Sequence, residues 1–229
     1  MALIATALRT AFLDASRPLQ YALLLFVAAL FALVGGHFVG GLAVLSYEPD
    51  VGAVVTALLT VLLFSYIFVW YASELSESLS HRTYLSKEEF LLRGLRVFII
   101  WVLVYLAVFL FYTGLPYPVN GLLAFFVALT AVYASVVVAV DGYTVFGAFV
   151  ESFAVVRSRF FHVAEFVALS VFLLLPAFLI GAVGGFPGTV LSLVLITVVV
   201  MPWLSAHAVL TYLYKYPFVV AALNKLEGL

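Results

Sequence analysis

The sequence predicts an all-α, polytopic membrane protein: six transmembrane helices in one integral domain, with amphipathic helices lying in the plane of the cytoplasmic surface. Three observations carry that prediction. Of 229 residues, 67% are hydrophobic and only 9% charged, against roughly 45 to 50% and 25% in soluble domains. Apolar runs recur six times between turns and polar stretches, at lengths suited to a hydrocarbon core of roughly 30 Å. All ten Lys and Arg residues fall in alternate connections or at the ends of the chain, the asymmetry of the positive-inside rule.

Composition also excludes chemistry. With no cysteine there is no disulfide, thiolate metal site, iron-sulfur ligand or thiol nucleophile. A formal net charge of -1 leaves no electrostatic footprint for nucleic acid.

The chain begins with Ile4, Leu8, Ala11, Phe12 and Ala15 on one side and Thr6, Arg9, Ser16 and Arg17 on the other. That pattern predicts an interfacial helix over residues 2–16, ended or kinked at Pro18. The apolar run that follows, 19–45, far exceeds the roughly 7 to 15 residues of a secretion-signal core and is read as span 1. Residues 46–50 form an acidic turn in which Asp50 is placed to cap span 2, 51–71.

The longest polar stretch follows, with Glu74, Glu77, His81 and Arg82. Ser86 and Glu89 have capping-box spacing, and Leu85 and Phe90 the spacing of a hydrophobic staple, so a helix starts at Lys87 and continues through Arg93 and Arg96 into span 3, 97–112. Gly114, Pro116 and Pro118 force a turn, and Asn120 is placed to cap span 4, 121–140. Asp141-Gly142 breaks that helix. Residues 143–159 then carry Phe146, Phe149, Phe153 and Val156, continued by Phe160, at spacings of three and four, with Thr144, Glu151 and Ser158 opposite, a second in-plane helix. Spans 5 and 6, 163–183 and 189–212, are joined by a turn containing Gly184, Gly185, Pro187 and Gly188.

Arg9, Arg17, Arg82, Lys87, Arg93, Arg96, Arg157, Arg159, Lys215 and Lys225 all lie on the side of the two termini. Both termini are therefore expected in the cytoplasm of a multi-pass cell-membrane protein. Tyrosine and tryptophan agree: Trp70, Trp101, Tyr71, Tyr212, Tyr214 and Tyr216 fall near the inner boundary, and Tyr47, Tyr112 and Tyr117 near the outer one. Aligning Arg17, Arg96 and Arg159 sets an amphipathic lead-in before each odd span, which a threefold repeat or general membrane-protein grammar explains equally well.

The middle of every span is free of ionisable residues, which disfavours a carrier coupled through a midplane carboxylate. Deep polarity is confined to hydroxyls: Thr56, Thr60 and Ser65, Thr130 and Ser135, Ser192, Thr197 and Ser205 in even spans, and Ser170 in span 5. They either line a pathway or bond back to their own helix. His37 either faces an outer site with Glu48 and Asp50 or sits beside a packing ridge of Ala32, Gly36 and Gly40. Pro176 and Pro202 remove backbone donors and predict kinks. Asp141, Glu151, Arg157, Arg159 and Glu165, with His207 and Lys215, form a polar group at the cytoplasmic boundary. Arg93, Arg96, Arg157, Arg159, Glu165 and His207 are the candidates for contact with a lipid headgroup or a protein partner, against ordinary interfacial anchoring.

No phosphate loop, HExxH, paired aspartates within helices or GxSxG occurs, so no catalytic residue, metal or cofactor is assigned. The run from Asp141-Gly142 through Ala148, Ser152 and Arg159 into span 5 resembles six-span prokaryotic membrane proteins, among them the membrane domain ahead of some glycerophosphodiester phosphodiesterases and the YciC-like envelope proteins. That resemblance implies the six-span fold and transfers no catalytic residue. The in-plane start and the charged helical connection from Glu74 to Arg96 are similar to permease subunits of ABC-2 type exporters, which usually carry a larger outer segment between their last two spans. The expected function is a non-enzymatic membrane scaffold, or a lipid- or partner-binding protein acting at its cytoplasmic face. The alternative is a permease subunit driven by a separate ATPase docking on residues 75–96. Oligomeric state is left open.

Overall fold

A computed structural model describes residues 16–38, 51–80, 85–217, 219 and 220. Every regular element among them is helical: α1 Ser16–Phe38, α2 Val51–Ser80, α3 Lys87–Gly114, α4 Val119–Asp141, α5 Val145–Ser158, α6 Phe160–Val183, α7 Gly185–Val194, a π-helical segment Leu195–Val200, and α8 Met201–Leu213. Helices are the open-ended way to satisfy each backbone N–H and C=O inside the segment when no water is at hand. Among the described residues five stretches are long and apolar enough to cross a membrane: Val54–Glu77, Lys87–Gly114, Val119–Asp141, Phe160–Val183 and Pro187–Leu213. This is a multi-pass membrane architecture. α1 adds a 23-residue helix whose described apolar stretch is Leu19–Leu30. The expectations placed on residues 2–15, on the His37 side chain, and on Gly40, Glu48 and Asp50 fall outside the described residues, while Gly36 lies within α1.

Two helices are central. Tyr133 to Val140 of α4 and Leu204 to Leu213 of α8 are buried at every position, as a helix apolar on all sides must be when surrounded by others. α6 is peripheral, burying only Val163, Phe166 and Ala177. α2, α3 and α4 lie against one another, α5 lies against α4, α6 lies against α7, α1 bridges α2 and the π-helical segment, and α8 packs on α2, α4 and α6 alike.

Local chemistry explains the boundaries. Ser86 Oγ accepts the Glu89 N–H at 3.2 Å, and α3 begins at Lys87 as its spacing predicts. With 30 residues α2 outruns its apolar part, being about 45 Å long against a core of roughly 30 Å. The capping role expected of Asn120 is corrected: α4 already starts at Val119, after Pro118, with no side-chain cap. Asn120 Oδ1 instead accepts the Gly121 N–H at 2.7 Å within the first turn. α4 ends at Gly142, whose φ of 73° is left-handed and whose N–H bonds to Val138 C=O at 2.9 Å. Thr144 Oγ1 then caps α5 by accepting the Gly147 N–H at 3.3 Å.

α5 shows why its phenylalanine stripe exists. Ala148, Ser152 and Val155 are buried against the bundle, while Phe146, Val150 and Phe153 are exposed on the outside. The small face packs, Phe149 and Val156 of the stripe are half-buried against the core, and the rest of the stripe looks outward. Phe153 meets the Phe126 ring edge to face at 6.3 Å. Phe126 lies fifteen residues before Asp141, so α5 folds back against α4 instead of projecting from it. At Pro176 α6 continues without a break. Near Pro202 the last span departs from an α-helix over Leu195–Val200, the irregularity that a missing backbone donor invites.

Candidate functional site

Two features stand out, a polar latch at the charged end and an apolar cleft further into the bundle. The latch is organised by the last turn of α4. Arg93 Nη1 donates to Ala139 C=O at 2.8 Å and Val140 C=O at 2.9 Å, and Arg96 Nη1 to Gly142 C=O at 2.6 Å and Tyr143 C=O at 3.2 Å. Cations on the orphan carbonyls of a helix C-terminus satisfy those acceptors and suit the helix dipole.

Asp141 is ill placed for that dipole, and its surroundings compensate. Its carboxylate accepts from Tyr212 Oη, from Tyr216 Oη at 2.7 Å and from Lys215 Nζ at 3.1 Å. Lys215 Nζ also reaches Glu151 Oε1 at 3.2 Å and lies 5.0 Å from the Tyr216 ring centroid. Burial disfavours the Lys215 ammonium, but the hydrogen bonds and charges of Asp141 and Glu151 outweigh burial and raise its pKa above the ordinary lysine value. The three partners on the final segment share one face because they fall at spacings of three and four. α4, α5 and the end of α8 are thereby clipped together.

Next to the latch, Arg159 Nη2 donates to Tyr214 C=O at 3.2 Å, and a cavity of about 180 Å³ opens between Glu151, Ser158, Arg159, Thr211 and Lys215. Glu165 Oε2 lies 3.4 Å from His162 Nδ1 and 3.9 Å from His207 Nε2, while His207 Nδ1 lies 3.4 Å from Thr211 Oγ1.

The structure therefore brings Asp141, Glu151 and Lys215 together, and Glu165 with His207. Arg93, Arg96 and Arg159 donate to backbone carbonyls within the protein. Arg157 is exposed and His207 is fully buried, so of these two only Arg157 faces outward. Sequence reasoning placed Tyr212 and Tyr216 in an interfacial belt and missed them as partners of Asp141. Their spacing around Lys215 was the available signal.

The cleft lies among α1, α2, α3, α4, α6 and α8 and measures about 460 Å³. Tyr21 and Leu25 of α1, Val61, Phe64, Ser65 and Phe68 of α2, Trp101 and Tyr105 of α3, and residues of α4 from Phe125 to Ser135 form one side. Phe166 to Leu174 of α6 and Met201 to Ala208 of α8 form the other. Its floor is closed: Tyr21 and Leu25 are 1% exposed and Ser135 2%. Its lips are open, with Tyr105 63%, Phe125 51% and Val171 59% exposed. Tyr21 anchors the floor, stacked on Tyr71 at 4.0 Å between centroids and bonded to Ser205 Oγ at 3.0 Å. Among the described residues no group of three or more His, Asp or Glu is placed to hold a metal.

No family model matches the chain, and no curated protein or solved structure matches it. Fold and site thus define a class, an all-helical multi-pass membrane protein with a laterally open apolar cleft above a charged latch.

Proposed function

We propose that the protein is a non-enzymatic, six-span protein of the cell membrane that takes up a hydrophobic molecule from the bilayer into its interhelical cleft. α1 serves as the first span and both termini are cytoplasmic. The observation that carries this reading is the cleft itself, a closed floor with exposed aromatic lips between helices of membrane-spanning length. Its volume lies in the range of about 300 to 1,000 Å³ typical of small-molecule sites, and its lining is the expected apolar surface with a few polar groups. α5 supports the orientation: with Phe146, Val150 and Phe153 facing out, it rests obliquely in the inner leaflet, its oily face among acyl chains.

The test is to fill the cleft. Ala128 lines it, and Ala128→Phe should remove at least four-fifths of the lipid that co-purifies with the full chain, as read by native mass spectrometry, while the helical circular-dichroism signal persists. An unchanged lipid complement would sink the proposal. A second reading, a permease subunit driven by a separate ATPase, is favoured by the overhang of α2 to Ser80, a rigid surface for a docking subunit. Co-purification of a nucleotide-binding subunit from native membranes would favour that reading over the first.

A further inference from the structure

We infer that the occupant of the cleft is a single hydrocarbon chain of a membrane lipid, acyl or isoprenyl, held without a hydrogen bond to the protein. The inference rests on the uptake reading above and names the chemical class of the molecule taken up. The hydroxyls decide it. Four serines line the cleft, and a serine hydroxyl has one proton to give. Ser65 Oγ donates to Val61 C=O at 2.7 Å, Ser135 Oγ to Ala131 C=O at 2.8 Å and Ser170 Oγ to Phe166 C=O at 2.8 Å. Ser205 is paired with Tyr21. A polar ligand reaching the floor would lose its hydration and find these serine donors engaged, a cost of roughly 1 to 3 kcal/mol per unmet polar group. The other donors of the lining, Trp101 Nε1 and the Tyr105 hydroxyl, both belong to α3, with Tyr105 at the exposed lip.

Charge points the same way. No Asp, Glu, Lys, Arg or His lines the cleft. His207 neighbours Ala208 in sequence, yet its ring nitrogens approach Thr211 and Glu165. The ionic groups lie at the latch, where a lipid's polar head remains outside the cleft. Volume sets the size: 460 Å³ lies toward the lower end of the range of about 300 to 1,000 Å³ for small-molecule sites, which suits one chain of a lipid and not the whole molecule.

Recognition must then be by fit. A lipid tail is as well solvated by other tails as by leucine, so moving it from bilayer to cleft gains little hydrophobic free energy. What remains is dispersion against a closer-packed wall, here with seven aromatic rings, those of Tyr21, Phe64, Phe68, Trp101, Tyr105, Phe125 and Phe166. Selection is accordingly by chain bulk and length, indifferent to the headgroup.

Photolabelling tests this with the full-length protein in phosphatidylcholine vesicles. Three probes are used: phosphatidylcholine and phosphatidylglycerol carrying a diazirine on one acyl chain, and a diazirine-bearing prenyl alcohol. Peptide mass spectrometry reads labelling at the floor residues Leu25 and Leu204. The expected result is floor labelling by both phospholipids within twofold of each other, or by the prenyl probe if the native chain is isoprenoid. Labelling should be unchanged within twofold in Ser135→Ala/Ser170→Ala and reduced at least fivefold in Ala128→Phe. Dependence on one headgroup, or loss of labelling in the double serine variant, would overturn the hydrogen-bond-free chain while leaving uptake intact. Absence of floor labelling by every probe overturns the uptake reading itself.

Discussion

Asp141 shows how one residue ties the end of α4 to the final segment, with Lys215 carrying the link on to Glu151 of α5. Its carboxylate is the common acceptor for Tyr212, Lys215 and Tyr216, and hydrogen bonds to a charged group each contribute about 1.5 to 3 kcal/mol. Asp141→Asn keeps one acceptor and loses the charge, so it should cost about 1 to 3 kcal/mol, read as a fall of several degrees in melting temperature in detergent. Lys215 fixes the pH dependence. Its folded pKa is raised, so its contribution is complete below the unfolded value of about 10.4 and is lost as pH rises through the higher folded value. Stability owed to this lysine should be flat from neutral pH to about 10 and decline beyond, and Lys215→Met should abolish that alkaline decline in melting curves. The polar group was legible in the sequence as a set of residues at one boundary. Its wiring was not, because Asp141 and Tyr216 are separated by the whole of α5 to α8, and hydropathy ranks tyrosine as a belt residue.

At the scale of elements, close approach between α2 and α3 depends on Gly94, which is buried. A Cβ there would overlap the Tyr66 ring, whose hydroxyl donates to Leu91 C=O at 3.2 Å. Gly94→Ala should destabilise by about 1 to 3 kcal/mol, the usual cost of overpacking. Tyr66→Leu introduced in the same chain should recover part of the loss in a thermal melt, whereas an additive double variant would show that the clash lies elsewhere. The start of α3 was readable, since Ser86 accepts the backbone N–H three residues on; Thr144 does the same for α5, although the sequence pattern had set it only on the polar face of that helix. The hydroxyls of Thr60, Thr130 and Thr197 bond to the carbonyl four residues back, the plainer of the two readings open from sequence. That Phe146 and Phe153 of α5 face outward while Phe149 packs on the core could not be read, since in a bilayer an oily stripe serves equally to face protein or lipid.

For the molecule as a whole, topology and cleft answer to separate measurements. A reporter fused after Tyr117, in the turn between α3 and α4, should be external, and cytoplasmic labelling there would overturn the six-span arrangement. The cleft was invisible to the sequence because it belongs to no helix: it is the space left where α6 packs on α7 and α8 while α3 packs on α2 and α4. The π-helical segment Leu195–Val200 bears on that space in a way that concerns angular phase. Each residue advances an α-helix by about 100°, and a wide turn accommodates an extra one. Everything after it in the last span, Ser205 and Ala208 at the cleft, His207 beside Glu165, and Tyr212 and Lys215 at the latch, is thereby set at a fixed rotation relative to α7. Deleting a single residue such as Val198 would therefore let the span close into a regular α-helix with its second half near its present phase, whereas a deletion with no wide turn to absorb it would rotate everything that follows by about 100°, uncoupling cleft and latch together without altering a side chain in either.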